Sequence, residues 1–272
     1  MSGTDGLHVE PLDRSGGPAA VALRLVDARS GNPAKIDPGR RHPLRISVPS
    51  AGAGSAAEPS ALRVRLVADV LVRTAELLGG QALLGVAGPS GDNARSFEAR
   101  AATLGIRPPA AAGTPDDLAA ALGGPPHVHL TGRRDGAARG IVVEVGALLP
   151  YDRPGPAGLD ARALRLALLN HPHHEPVTLA PEELDWAQGT LTRWRRAMAL
   201  WARSPSRAMC AETLGRSLDA LADGLDTPSV LRALGRAEQD AALPDGSRFE
   251  TFAHLDRVLA LDLARDLGRT AP

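Results

Sequence analysis

Residues 44–87 place an apolar strand, a small-residue loop, a long helix and a second apolar strand in immediate succession, and this order constrains the fold more than any other feature. "LRISV" (44–48) reads as a buried strand, and "ALLGVAG" (82–88) as another. Between them Leu62, Leu66, Val67, Val70, Leu71 and Leu78 recur at helical spacing, with Ser60 expected as the N-cap and Gly79-Gly80 as the stop. Two strands joined by such a helix pair side by side only as parallel neighbours, so the chain is expected to be α/β.

The loop of that unit, "PSAGAGSAAEPS" (49–60), has the form of a phosphate cradle, because free backbone N–H groups and the helix dipole favour an anion at a helix start. Its chemistry does not match. A Walker A loop needs Gly-Lys-[Ser/Thr], and Lys35, the one lysine of the chain, lies in "NPAKIDP". Lys+Arg and Asp+Glu are both 31, so no global field favours DNA or a membrane surface. The one cysteine, Cys210, excludes an intramolecular disulfide and a multi-cysteine metal site, and its helical context suggests a buried thiol. With no long apolar run or signal sequence, the expected location is the cytoplasm.

The rest of the chain divides in two. Residues 1–16 are polar and Gly-rich, as in a disordered tail. Residues 17–150 are expected to form a Rossmann-like domain: a first strand in "AVALRLVDA", a Pro/Gly-rich connection, the βαβ unit, and two short helices separated by the Pro-rich "RPPAAAG". Thr114 is the expected N-cap of the second of these helices. "HVHLTG" and "GIVVEVG" then read as two strands around a tight turn, "RRDGAAR". After a linker at 151–160, residues 161–272 are expected to form a bundle of four or five helices. In the clearest of them Leu184, Ala187, Leu191, Trp194, Met198 and Trp201 make one apolar face, placing both tryptophans in the core. Thr227 is expected to cap another, with Pro228 in its first turn.

In this order the segments resemble those of the cysteinyl-tRNA synthetase family, including the actinobacterial cysteine ligase of mycothiol biosynthesis. "LRLVDARSGNPAKIDPGRRHPLRISV" resembles the family's opening strands, and "VADVLVRTAELLGG" its first long helix with Asp69 and Arg73. "LDARALRLALLNHPHHEPVTLAPEELDWAQGTLTRWRRAM" is similar to the entry into its helical bundle, and "LADGLDTPSVLRAL" to a helix start within it. The resemblance implies a class I synthetase plan: a truncated Rossmann-like parallel sheet followed by an all-α bundle, with ATP and zinc as family cofactors.

Matched position by position, the residues that carry the family's chemistry are missing. The His-Ile-Gly-His signature falls on Glu58-Pro59-Ser60-Ala61 and the metal-binding cysteine on Pro49, while Arg63 matches the arginine after the signature. Where the Lys-Met-Ser-Lys-Ser loop belongs only "GAARG" (136–140) remains, without a lysine, and "RRDGAARG" is either a charged turn or a phosphate contact through Arg133, Arg134 and Arg139. Adenylate formation needs positioned donors for the negative charge that develops on the ATP phosphates, and losing one such donor typically costs about 10²–10³ in rate. The whole set is absent, and Glu58 would repel phosphate if turned inward. Ser60, Arg63, Arg133, Arg134 and Arg139 are left as candidates for holding a nucleotide or other ligand.

Other residue groups admit a bland and a sharp reading. His171, His173, His174 and Glu175 in "NHPHHEP" have the donor chemistry of a zinc site, yet their place at the bundle entrance favours a polar loop. His127 and His129 alternate, as on a half-exposed strand. Arg193, Arg195, Arg196, Arg203 and Arg207 could line an RNA-binding face, although net neutrality favours a solvated one. The expectation is therefore a synthetase-like protein that binds or regulates, with tRNA, a small aminoacyl or thiol ligand, or a protein as partner. The alternative is a repurposed ATP-dependent cysteine ligase.

Overall fold

A computed structural model describes residues 22–37, 42–51, 58–88, 91–132, 140–149 and 158–268. The tail at 1–16, the turn at 133–139 and most of the linker fall outside these residues. A short antiparallel pair, β1 (Leu23–Val26) and β2 (Pro33–Ile36), precedes the main sheet. β2 lies in the stretch expected to be an irregular connection, where its Pro, Lys and exposed positions hide the strand pattern.

The main sheet has five strands: β3 (Leu44–Pro49), β4 (Ala82–Ala87), β5 (Ala111–Gly113), β6 (Val128–Thr131) and β7 (Ile141–Glu144). All pairings are parallel, in the order β5-β4-β3-β6-β7. The expected βαβ unit is present as β3, α1 (Glu58–Leu77) and β4, paired from Leu44 with Ala82 to Pro49 with Ala87. The first three strands of the sheet thus run outward on one side and the later two on the other, the doubly wound arrangement whose switch point lies between β3 and β6.

One expectation is corrected here: β6 and β7 are not a hairpin. Val128 pairs with Ile141 and Thr131 with Glu144 in parallel register. Alternation of apolar residues is the same in both strand directions, so it identified two half-buried strands without giving their sense. β5 lies in "RPPAAAG", expected to be a connection between helices, because three residues of Ala-Ala-Gly carry no strand propensity and depend on pairing with β4.

Two helices follow β4, α2 (Asp92–Thr103) and α3 (Pro115–Ala121). Thr114 caps α3 as expected: its hydroxyl accepts from Asp117 N at 3.3 Å, and the Asp117 carboxylate accepts from Thr114 N at 3.1 Å. The bundle holds α4 (Ala161–Leu169), α5 (Pro181–Trp201), α6 (Ala211–Ala222), α7 (Thr227–Gln239) and α8 (Asp245–Leu259). Trp194 and Trp201 are buried and meet Phe252 edge-on, at 5.5 and 5.0 Å between ring centroids. Thr227 is not the cap of α7. Asp226 accepts from Ser229 N, and the Thr227 hydroxyl instead donates to Leu169 O at 2.7 Å, tying α7 to α4. Cys210 is half-buried at the N-cap of α6 rather than inside a helix.

α1 is the axis of the molecule. Every residue from Arg63 to Val72 is buried, because the sheet covers one side and the bundle the other. One hydrophobic cluster accordingly runs from Leu23 of β1 to Leu263 beyond α8. Inside it, the carboxylate of Asp69 accepts from Arg165 Nη2 at 2.7 Å, Arg73 Nε at 2.8 Å and Arg107 N at 3.1 Å. Arg165, fully buried on α4, also donates to Leu259 O at the end of α8 and to Leu104 O after α2. A half-broken buried ion pair typically costs about 3–5 kcal/mol. Asp69→Asn is therefore expected to lower the unfolding free energy by about that amount, which urea titration of both proteins by circular dichroism measures directly.

Candidate functional site

In a sheet of this order, ligands bind outside the carboxyl ends of the strands at the switch point. Among the described residues that crevice is framed by Ser50 after β3, Gly132 after β6, Gly88 after β4 and the first turns of α1. Ser50 N donates to Ala87 O at 2.8 Å and Gly88 N to Gly113 O at 2.9 Å, drawing the three loops together. Gly88 has φ 146°, and a Cβ there would lie 2.0 Å from Ser50 Oγ, so the close approach requires glycine. Residues 52–57, the rest of the opening loop, and the candidates Arg133, Arg134 and Arg139 lie outside the described residues.

The two described candidates of the set are on α1 and both are occupied by the protein itself. Ser60 is not the N-cap, because the helix begins at Glu58. Its hydroxyl accepts from Leu148 N at 3.1 Å and donates to Leu148 O at 3.4 Å, pinning the segment after β7. Arg63 is 1% exposed, and its guanidinium points into a cage of backbone carbonyls. Nη1 donates to Gly146 O at 2.8 Å, to Ala147 O at 3.4 Å and to Glu175 O, and Nη2 to Pro172 O at 2.9 Å. Burial pushes this guanidinium below the ordinary arginine value, which the nearby Glu175 charge partly offsets. It nonetheless remains a cation, since arginine does not lose its proton in proteins.

Glu58, where the signature's first histidine would fall, sits in the first turn of α1 and pairs with Arg100 of α2. A carboxylate there meets the positive end of the helix dipole, the place an anionic ligand would otherwise take.

The histidine-rich loop is part of the same construction. Gly146 N donates to His173 O at 2.9 Å, Val177 N to Ala147 O at 2.8 Å, and Leu149 N to Val177 O at 2.7 Å, so residues 173–177 are stitched to the strand exit of β7. A Cβ on Gly146 would lie 2.1 Å from Glu175 O, and only glycine permits that contact. The four side chains do not converge on one point, although the His173 and His174 rings meet edge-on at 5.4 Å and His174 Nε2 lies 3.9 Å from Glu175 Oε1. His171 Nε2 is 2.5 Å from Glu183 Oε1 of α5, His173 turns toward Arg63, and His174 and Glu175 are exposed. Among the described residues no group of three His, Cys, Asp or Glu side chains converges as a metal site would require.

Beneath the loop a cavity of about 10 Å³, bordered by Arg63, Val67, Leu169, His173 and Thr227, has room for roughly one water. Of the remaining candidates, His127 leads into β6, where its ring accepts from Arg45 N at 3.1 Å. Arg195 is buried and donates to Asp160, Leu261 O and Asp262 O, so it serves the core rather than a nucleic-acid face. Arg193 pairs with Glu238, and Arg196, Arg203 and Arg207 are exposed.

A Rossmann-like parallel sheet of this order followed by an all-α bundle is the architecture of a class I synthetase. Comparison with known proteins agrees. The chain is 33% identical over 126 residues to the cysteine–tRNA ligase of Agrobacterium fabrum, covering 46% of this chain and 25% of that protein. It is 42% identical over 89 residues to an L-cysteine:1D-myo-inositol 2-amino-2-deoxy-alpha-D-glucopyranoside ligase of Frankia casuarinae, 33% of this chain and 18% of that protein. With the same ligase of Nakamurella multipartita it shares 34% over 137 residues, 50% of this chain and 30% of that protein. The chain thus has a family-level link to the class I cysteine ligases of both kinds, at moderate identity and over less than a third of their length. No protein-family model matches it.

The geometry makes two predictions. Arg63→Ala leaves buried carbonyls without their donor and is expected to destabilise the protein by about 2–4 kcal/mol, read by urea unfolding, with Arg63→Lys recovering only part. His173, held neutral by burial and by the neighbouring His174 and Arg63, has its pKa pushed from 6.5 down to about 4. A depressed folded-state value means the unfolded chain takes up the proton first, so the stability from this group is complete above pH 6.5 and is lost as pH falls to about 4. His173→Gln is expected to flatten the pH dependence of Tm across that window.

Proposed function

We propose that this protein is a class I cysteine-ligase-like binding protein that does not activate an amino acid. The observation that carries the reading is Arg63. It matches the residue next to the family's first signature, and its donors are spent on four backbone carbonyls, not directed at the mouth of the sheet. The replacement of that signature by Glu58-Pro59-Ser60-Ala61 and of the metal-binding cysteine by Pro49 supports it. So does the ion pair of Glu58, which sets a negative charge at the start of α1.

The ligand is a small aminoacyl or thiol compound seated at the switch-point crevice between β3 and β6. The names of both groups of relatives share cysteine as the moiety transferred, and the sheet order supports the location. tRNA and a protein partner are the other ligands this reading allows. The second reading, a repurposed ATP-dependent cysteine ligase, draws on Arg139 at the place of the second signature and on Arg133 and Arg134 just before it.

Pyrophosphate exchange with ATP and cysteine separates the two. No exchange is expected across a panel of amino acids, and exchange abolished by Arg139→Ala would establish the ligase instead. Thermal-shift measurements with cysteine, a non-hydrolysable cysteinyl-adenylate analogue and ATP are expected to show stabilisation by the first two. A ligand at about 100 times its Kd adds about 2.7 kcal/mol.

A further inference from the structure

α5 has a face that no other element among the described residues covers. While Leu184, Ala187, Leu191, Trp194, Met198 and Trp201 turn inward, Trp186, Gly189, Arg193, Arg196 and Leu200 share the outer side. Trp186 is 44% and Leu200 60% exposed, two large apolar side chains two turns either side of Arg193. Gly189 between them is unexplained by the chain's own packing, since a Cβ there would meet nothing within 4 Å. Glycine in a helix interior nevertheless costs about 0.8–1.0 kcal/mol relative to alanine.

Charge along the same helix is sorted. Glu182 and Asp185 are exposed at its start, and Arg196 and Arg203 at its end, with no ion-pair partner for any of them among the described residues. The helix dipole accounts for acidic residues at the start and basic ones at the end. It does not account for the exposed Trp and Leu or for the glycine.

We propose that this face is a self-complementary interface, on which α5 of a second copy of this chain packs antiparallel about a two-fold axis at Arg193. Residues equidistant from the axis then meet: Trp186 covers the partner's Leu200 and Gly189 lies against the partner's Ala197, while one position off that register the long side chains of Glu182 and the partner's Arg203 come within reach of each other. The glycine lets the two backbones approach and gives each tryptophan a flat surface to cover. At the axis Arg193 meets its own copy, and its charge is already held by Glu238, with Nε at 2.7 Å and Nη2 at 3.2 Å from the two carboxylate oxygens. A residue-to-residue relation that is its own inverse is what a two-fold contact demands. One helix pair is a small interface, so association falls in the micromolar range.

Sedimentation velocity of the full chain between about 1 and 200 µM tests this. A reversible dimer is expected, and Trp186→Glu or Leu200→Glu should raise its Kd at least about tenfold without moving the thermal transition, because both residues are exposed. Glu182→Arg and Arg203→Glu should each weaken the dimer, and an equimolar mixture of the two variants should restore it as a heterodimer. A chain that stays monomeric throughout overturns the proposal. So does a dimer that the α5 substitutions leave unchanged, or a mixture that fails to associate. If the chain is monomeric and the same substitutions weaken binding of a fluorescent RNA hairpin, the face belongs to nucleic acid instead.

Discussion

The fold depends on a buried carboxylate. Asp69 stands midway along the helix that the sheet and the bundle both cover, and its three hydrogen bonds draw on α1 itself, on the turn before β5 and on α4. Arg165 passes the constraint on to the end of α8, where Arg73 also reaches Arg257 O and Arg195 takes the carbonyls of Leu261 and Asp262. That segment is held in an unusual turn, with Ala260 and Asp262 both at positive φ and the Asp256 carboxylate accepting from Leu261 N and Leu263 N. Burial raises the pKa of Asp256, against the pull of those hydrogen bonds and of Arg165. Buried charges add little net stability over an apolar core, but each demands its partner at one distance and angle. Here they select how the bundle docks on the sheet.

Arg63 extends the same logic toward the site. Its carbonyl cage joins the strand exit of β7, the histidine-rich loop and the start of α1; Gly146 lets the backbones pass so closely, and Ser60 ties Leu148 to the helix. An arginine used in this way belongs to the scaffold. The interactions that hold the architecture together are thus distinct from those that would act on a ligand, and the two can vary independently.

Much of this was legible in the sequence, and the misses share a cause. The βαβ unit, the capping box at Thr114 and the apolar face of α5 depend on residues near in sequence, so spacing alone reveals them. The parallel sense of β7, the existence of β2 and β5, and the capping of α7 by Asp226 in place of Thr227 depend on which distant strand or helix supplies the partner. The same holds for the site. That Ser60 and Arg63 lie at the start of the long helix was readable from the chain, but that Arg63 is caged and Ser60 is bound to Leu148 was not. A charged residue on an apolar helix reads as its exposed edge until a second surface is known to cover it.

Sequence by itself therefore determined the class of the fold, an α/β sheet followed by a helical bundle, and the resemblance to the class I cysteine ligases, because both follow from residue type and spacing. Only the tertiary structure decided the parallel sense of β7, the burial of Arg63, Arg65, Asp69 and Arg165, and the separate partners taken by the four candidate metal ligands. Those outcomes turn on contacts between residues tens to hundreds of positions apart, for which periodicity carries no signal and hydrogen-bond geometry is the arbiter.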